Sequence, residues 1–310
     1  MHYIKGIDNY KSKKRSAVTL GKFDGFHKGH MKLVDQVRML SEEQDVTSII
    51  CSFDMRPLYE RIHSDARLLM TGDERDKRLE NKVDYFIDCP FTKEFSMMEA
   101  EDFIENILAG IFHAAYVVVG EDFCFGHGKR GNIHMLAEYA EKYDYQLIVF
   151  EKERYEGRII SSTHVKEALA EGDMELAEKL LGYPYTFTGT VSHGKQIGRR
   201  IGVPTLNIVP DKWKMMPPNG VYFNRVQIDG IWYDAIGNVG VKPTVTDNNQ
   251  VVIESYLFDY AGDAYEKNII VELYKFRRPE TKFDSIEDMK QTIVKDIEAG
   301  REYFKNKYLQ

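Results

Sequence analysis

The stretch AVTLGKFDGFHKGHMKLVDQVRML, residues 17–40, indicates the architecture of the first half of the chain. Residues 17–20 are short and apolar, as in a buried strand, and residues 30–40 carry apolar side chains at helical spacing. The glycine-rich turn between them follows a strand and opens a helix, the place where α/β sheets bind phosphates. The stretch therefore predicts a strand, a turn that binds an anion, and a helix.

The same alternation of strand-like and helix-like segments continues to about residue 181. Apolar runs such as 116–119 are typical of a parallel sheet with helices on both faces. Glycine at 182 and proline at 184 end the last helix of this part. We therefore predict a Rossmann-like α/β domain over residues 1–182. Its further strands and helices are predicted at 47–53, 116–120, 132–142, 146–150 and 163–170, with a helix restarting at Asp173.

Strand patterns dominate residues 183–310, the predicted second domain. The dipeptide Asp229-Gly230 is a two-residue hairpin signal that joins residues 221–228 to 231–236. Ser285 opens a final helix, with Asp288 as its capping-box partner. These patterns predict an antiparallel β-barrel followed by a C-terminal helix. Further strands are predicted at 251–258 and 269–276, and the apolar stripe of the helix at Ile286, Met289, Ile293 and Ile297.

Composition limits the classes of function. A formal charge of −7 argues against a general nucleic-acid binder. No apolar window is long enough for a secretory signal or a membrane span. Three cysteines in 310 residues, at no metal-like spacing, indicate a reducing compartment, which we take to be the cytoplasm.

A histidine pair carries the first chemical signal. His27 and His30 lie three residues apart, so both imidazoles can face one anion from the first helical turn. Half of a zinc site is the alternative, but no further Cys/His cluster supplies the remaining ligands. The run His27-Lys-Gly-His30 resembles the His-x-Gly-His signature of nucleotidyltransferases. That resemblance implies that the histidines steady the phosphates of ATP while a nucleophile attacks the α-phosphate.

Residues 67–103, 119–126 and 160–163 resemble the FMN adenylyltransferase branch of these enzymes. The hydroxyls in 160–163 are equally suited to capping the helix that follows. From the resemblance, Asp122 and Phe123 are expected to contact the flavin. The residues expected to bind the nucleotide are Gly21, Phe23, Asp24, Gly25, His27, His30, Asp122, Ser161, Ser162, Thr163 and Lys166.

The match has departures, all in the first domain. Lys166 stands where the family usually has arginine, and Met55 and Arg56 replace a Pro-His pair. Lys22 stands where a small or amide residue is commoner. Lysine offers a point charge and not a two-pronged donor. These departures leave open a kinase-only protein whose first domain senses nucleotide or flavin.

Residues 189–207 form the richest run of the second domain. Gly194, Gly198 and Gly202 recur among basic side chains, which suits a phosphate-wrapping loop, although a flexible surface loop fits as well. Thr205 and Asn207 alternate in an extended segment and offer two neutral oxygens to one side. Such oxygens suit Mg²⁺ held mainly by nucleotide phosphates and water.

Glu254 is the candidate general base of this domain. Its own strand face carries Val252, Tyr256 and Phe258, and a carboxylate among apolar neighbours is a candidate for a raised pKa. The alternative is an ordinary exposed strand glutamate, of which Glu272 is our example.

The second domain resembles riboflavin kinases from about residue 185 to the C-terminus, with the signature Gly-Arg-x-x-Gly-x-Pro-Thr-x-Asn at 198–207. The resemblance implies ATP contacts from Gly194, Gly198, Thr205 and Asn207, Mg²⁺ at Thr205 and Asn207, and Glu254 as base. Arg278 is expected to contact the flavin.

Together the two resemblances identify the chain as a member of the bifunctional riboflavin kinase/FMN adenylyltransferases. They imply riboflavin, FMN, FAD and ATP as ligands, and they leave the oligomeric state open. A non-catalytic flavin-binding regulator, and transfer of AMP or CMP to another phosphate, are the remaining alternatives.

Overall fold

The computed structural model describes residues 1–192, 202–242 and 250–309. Contacts divide the chain into two compact units. The first comprises Met1–Arg67 and Arg75–Ser161, and the second Leu68–Glu74 and Ser162–Gln310. The boundary predicted after residue 182 separates two sequence patterns and stays a prediction. None of the helices formed by the described residues is long and apolar enough to span a bilayer.

The first unit is built on a six-stranded parallel sheet of order β1-β4-β3-β2-β5-β6. Side chains such as Val18, Ile50 and Val117 have no exposed surface. Strands buried on both faces read as continuous apolar runs, which is why the sequence predicted a parallel sheet correctly. The strands are β1 (His2–Lys5), β2 (Ser16–Gly21), β3 (Thr47–Asp54), β4 (Tyr85–Pro90), β5 (Ala114–Gly120) and β6 (Gln146–Phe150).

Helices connect these strands. Asn132 caps α6 by accepting from two backbone N–H groups, and α5 continues as a π-helical segment, Phe103–Ile111. A short hairpin, β7 (Arg154–Tyr155) and β8 (Arg158–Ile159), follows β6. The helices are α1 (Lys28–Gln44), α2 (Arg56–Arg61), α3 (Gly72–Leu79), α4 (Lys93–Ser96), α5 (Ala100–Asp102) and α6 (Ile133–Ala140).

The second unit is a curled antiparallel sheet of order β10-β13-β12-β11-β14-β9. A β-bridge between Ser192 and Asn207 joins the two edges of the sheet. The edges approach closely, because a Cβ added to Gly189 would lie 3.1 Å from the side chain of Ile208. The sheet therefore closes as the predicted barrel. Its strands are β9 (Tyr185–Thr190), β10 (Leu206–Ile208), β11 (Gly220–Ile228), β12 (Ile231–Lys242), β13 (Gln250–Leu257) and β14 (Asn268–Pro279).

Of the helices in the described residues, three lie wholly in this unit: α7 (Ser162–Ala170), α8 (Met174–Leu181) and, after the barrel, α9 (Ile286–Lys307). Ser285 caps α9 as expected, by accepting from the Asp288 N–H. The predicted stripe of α9 is wrong at its first member, because Ile286 is 70% exposed. The helix packs through its later turns, where Phe304 joins Phe223 and Phe258 on the outer face of the barrel.

A short strap, Leu68–Glu74, lies in the second unit although the chain on both sides of it lies in the first. Leu68 donates to the carbonyl of Trp213 at 2.7 Å and accepts from Met215 at 2.8 Å. Between them, the buried Lys214 ammonium donates to the Glu74 carboxylate at 2.5 Å. The sequence did not predict this strap, because its anchors are backbone hydrogen bonds and a charge pair to residues distant in sequence.

Candidate active sites

The strand order of the first unit creates a crevice between β2 and β5. From β2 the chain passes through α1 to β3 on one side, and from β5 it passes through α6 to β6 on the other. Ligands of open α/β sheets bind where the connections diverge in this way, outside the carboxyl ends of the strands. The two predicted turns, after Gly21 and after Gly120, therefore open at the same edge of two neighbouring strands.

The turn after Gly21 is held in an unusual backbone conformation. Phe23 and Phe26 have φ values of 44° and 39°, and Gly25 between them has 86°. Positive φ is costly for a bulky residue and persists only where surrounding packing enforces it. Here the two buried phenyl rings stack at 5.3 Å. Asp24 remains partly exposed in this turn. Phe23 was predicted as a nucleotide contact, whereas its stacking partner Phe26 was not.

The structure brings the two histidines together. The rings of His27 and His30 stack with centroids 3.7 Å apart. His27 caps α1, because its Nδ1 accepts from the His30 backbone N–H at 3.3 Å. That bond assigns the ring proton of His27 to Nε2, which is then a donor. The Nδ1 of His30 is buried with no hydrogen-bond partner among the described residues.

Both imidazoles are neutral near pH 7. Burial lowers the pKa of His27 to about 4. Burial, and then the proximity of His27, lower the pKa of His30 well below its usual value. The pair therefore offers N–H donors and not positive charge. The positive charge that a phosphate would need here would come from the first turn of α1, because helix N-termini present backbone N–H groups and the positive end of the helix dipole.

The turn after β5 places the predicted flavin contacts at the neighbouring strand end. Phe123 donates its N–H to the carbonyl of Gly120 at 3.0 Å, which closes the turn. The exposed carboxylate of Asp122 pairs with the Lys152 ammonium at 2.8 Å. Lys152 was not predicted. Its only sequence signal is its place directly after β6, whose carboxyl end lies at the same edge of the sheet.

Gly126 ends this turn where no other residue fits. Its φ is +71°, and an added Cβ would lie 2.7 Å from the Cα of Ala100. Any side chain would push the turn away from α5. The close approach of these two backbones therefore sets the position of residues 121–126.

The other predicted nucleotide contacts are not gathered in one unit. Ser161 is the last residue of the first unit, and α7 of the second unit begins at Ser162. Thr163 and Lys166 lie in the first turns of α7. Contacts of these residues with a nucleotide stay predictions.

Two of the departures from the family pattern have local explanations. Arg56 folds back on Asp54 with bonds of 2.8 and 2.9 Å to the two carboxylate oxygens. Met55 is buried beside it. Lys22 is exposed, and its backbone carbonyl accepts from the hydroxyl of Ser52. The unusual Met-Arg pair therefore stabilises the end of β3.

In the second unit three polar residues form a row across adjacent strands. Asn207 on β10 lies directly opposite Glu254 on β13, and Glu254 lies directly opposite Asn238 on β12. Directly opposite residues of an antiparallel pair share a face, with Cβ atoms about 5 Å apart. Glu254 therefore stands between two amides. The row continues through Val221 on β11 to Arg278 on β14.

The apolar surroundings predicted for Glu254 are present. Val252, on the same face of β13, is buried, as is Phe258 directly after the strand, and Glu254 itself is partly buried. The residue chosen as an ordinary exposed glutamate, Glu272, is a poor example. It accepts a hydrogen bond from the Tyr274 hydroxyl at 2.7 Å, and burial raises its pKa.

The donors predicted for a metal lie at one end of this row. Thr205 directly precedes β10, and the buried amide of Asn207 donates to the Thr205 carbonyl at 3.4 Å. Because the amide nitrogen of Asn207 points to this carbonyl, the atom that Asn207 can offer to a cation is its side-chain oxygen. Neutral oxygens fit Mg²⁺. Gly194 and Gly198 lie outside the described residues.

Arg278, at the far end of the row, forms an ion pair with a residue of α9. Its Nε donates to the buried carboxylate of Asp296 at 2.9 Å, and its terminal nitrogen lies 2.8 Å from the same oxygen. This anchor was not predicted. A direct contact of Arg278 with the flavin stays a prediction.

Comparisons with known proteins match the two parts of the chain to two different families. The FAD synthetase family matches residues 9–164, and the riboflavin kinase family matches residues 181–304. A bifunctional riboflavin kinase/FMN adenylyltransferase of Buchnera aphidicola subsp. Schizaphis graminum is 35% identical, over 98% of this chain and 99% of its own. The protein of the same description from Escherichia coli K12 is 32% identical, over 98% of both chains. A crystal structure described as a macrolide-efflux protein from Streptococcus pneumoniae has a TM-score of 0.85 at 29% identity, over 97% of this chain and 98% of its own.

Proposed function

Because the chain belongs to the bifunctional riboflavin kinase/FMN adenylyltransferase family, we propose that its second unit phosphorylates riboflavin to FMN and its first adenylates FMN to FAD. The observation that carries this proposal is that each unit holds its own cluster of polar side chains suited to phosphate transfer, the histidine pair in the first and the Asn207–Glu254 row in the second. A kinase-only protein has no support, because the FAD synthetase match spans nearly the whole first unit.

Adenylation in the first unit requires positioning more than proton transfer. A phosphate oxygen of FMN forms a bond to the α-phosphorus of ATP, and the bond to the leaving pyrophosphate breaks. FMN phosphate is already ionised, so this step needs no general base. The Nε2–H of His27 and an N–H of His30 donate to phosphate oxygens. Asp122 and Phe123 hold the flavin nucleotide at the end of β5.

Phosphorylation in the second unit requires a base. The ribityl 5′-hydroxyl of riboflavin attacks the γ-phosphorus of ATP, its proton passes to the Glu254 carboxylate, and ADP leaves. Thr205 and Asn207 would hold Mg²⁺ together with the ATP phosphates. When bound, such an ion would supply positive charge that offsets charge on the transferring phosphoryl group.

The three cysteines, Cys51, Cys89 and Cys124, are free thiols. They support a reducing compartment, and we place both reactions in the cytoplasm.

Two variants assayed in a crossed design test the proposal. Glu254→Gln should make no FMN from riboflavin, yet convert added FMN to FAD at the wild-type rate. His30→Gln should accumulate FMN from riboflavin and form little FAD. In each variant, the activity that remains shows that the unit without the substitution is folded. Loss of both activities in both variants would contradict the assignment of one reaction to each unit.

A further inference from the structure

A second amide lies beside the proposed base, on the side away from the metal donors. Asn238 is directly opposite Glu254 on β12, whereas Asn207 is directly opposite it on β10. Neighbouring strands are about 4.8 Å apart, so the two amides are about 10 Å apart with the carboxylate midway. Since Asn207 is the proposed ligand of the metal and the ATP phosphates, Asn238 lies on the opposite side of Glu254, from which the alcohol of riboflavin would approach.

Asn238 is joined to a carboxylate that no described step uses. Its Nδ2 donates to Oε1 of Glu280 at 2.8 Å. The carboxylate lies against the sheet over Gly240, where an added Cβ would be 2.3 Å from the same oxygen. Glycine at 240 is therefore required for Glu280 to reach Asn238. Glu280 is exposed and Asn238 is half-buried, so a ligand can reach this pair.

The segment that carries Glu280 is anchored next to it. The Arg278 guanidinium donates to the Pro279 carbonyl at 3.1 Å and to the Thr281 hydroxyl at 3.3 Å. The same guanidinium is fixed by the buried Asp296 of α9. The positions on both sides of Glu280 are thus held by one buried ion pair, which orders a side chain that would otherwise be mobile at the end of a strand.

We propose that Asn238 and Glu280 bind the hydroxyl groups of the ribityl chain and direct its 5′-hydroxyl toward Glu254. This inference rests on the proposed kinase function of the second unit. A polyol chain presents several groups that each donate and accept. A carboxylate that accepts, beside an amide that does both, is matched to such a chain. The pair determines specificity for the alcohol, and Glu254 alone removes the proton.

The test compares Asn238→Ala and Glu280→Gln with a control, Glu298→Gln, an exposed glutamate of α9. Loss of a hydrogen bond to a charged group costs about tenfold or more in affinity. The KM for riboflavin should therefore rise about tenfold in both variants, with the KM for ATP unchanged. Formation of FAD from added FMN, measured in the same samples, reports that the rest of the chain is folded.

A second substrate separates recognition from a structural role. A flavin with a 5-hydroxypentyl chain keeps the reacting hydroxyl and lacks the internal ones. The wild type should prefer riboflavin to this analogue, and Glu280→Gln should lose most of that preference. The proposal is overturned if Asn238→Ala and Glu280→Gln both show the same substrate preference and the same KM for riboflavin as Glu298→Gln. It is also overturned if their KM for ATP rises as much as their KM for riboflavin. A wild type that makes no FMN would overturn both the kinase function and this inference, whereas an active wild type with unchanged variants would overturn this inference alone.

Discussion

Replacing Glu74 by alanine should strongly destabilise the second unit, because its carboxylate neutralises the buried ammonium of Lys214. Glu74 and Lys214 have side chains only 4% and 2% exposed, and their charged atoms lie 2.5 Å apart. The Lys214 ammonium also donates to the Leu69 carbonyl and lies 4.3 Å from the centre of the Tyr185 ring. The carboxylate accepts in addition from the Thr71 N–H at 2.9 Å.

The magnitude follows from the burial of both charges. Removing one partner of a buried ion pair costs about 3–5 kcal/mol, because the remaining charge is left uncompensated. Helix propensity does not add to this loss, since alanine is the best helix former and Glu74 lies in α3. Replacing both partners, as in E74A/K214M, should restore stability to within about 2 kcal/mol of the wild type, because no buried charge remains.

Tryptophan fluorescence during urea unfolding measures this effect in the right unit. The chain has two tryptophans, Trp213 and Trp232, and both belong to the second unit. With a slope of about 2 kcal/mol per M urea, Glu74→Ala should lower the midpoint by about 2 M. Glu175→Ala is the matched control, because its exposed pair with Lys275 contributes less than about 1 kcal/mol. Equal midpoint shifts for Glu74→Ala and Glu175→Ala would contradict a special stabilising role of the buried Glu74–Lys214 pair.

Three further predictions use the same protein. His27 has a folded-state pKa of about 4 against about 6.5 unfolded, so the unfolded chain binds the extra proton between these values. The first unit should therefore lose about 3 kcal/mol of stability through His27 as the pH falls from 6.5 to 4. In urea unfolding measured at several pH values, His27→Gln should lose less stability than the wild type over this range. Arg278→Ala leaves Asp296 buried without its main partner and should cost the second unit about 3 kcal/mol, measured by tryptophan fluorescence; an unchanged midpoint would contradict this role. Gly126→Ala, which would press on Ala100, should lower FAD formation from FMN at least tenfold while riboflavin phosphorylation is unchanged, and equal loss of both activities would count against a local effect.

Local patterns in the sequence were sufficient for most of the fold. Periodicity and end signals placed β6 and α8 within a residue, because a short apolar run and helix capping are local properties of the sequence. The strand predicted at 231–236 ends at 242, since two glycines and the half-buried Asn238 interrupt the apolar alternation beyond residue 236. The edge strand β1 was missed, because it is short and mostly exposed.

The candidate sites were predictable in their motifs and less so in their supporting contacts. The stacked histidines follow from a three-residue spacing at a helix start. The two-residue turn at Asp229-Gly230 sets the register of β11 against β12 and so places Asn238 opposite Val221. The position of Asn238 opposite Glu254 depends on the pairing of β12 with β13, which was not predicted. The Lys214–Glu74 pair depends on contacts between distant segments, for which a single sequence carries no signal.

The most direct test of the central claim is a time course of the purified wild-type protein with riboflavin, ATP and Mg²⁺, in which riboflavin, FMN and FAD are separated by chromatography. The account predicts that FMN rises first and then gives way to FAD, since the product of one unit is the substrate of the other. FMN that accumulates with no FAD would contradict the adenylyltransferase assignment of the first unit. Riboflavin that remains unconverted would contradict the account as a whole.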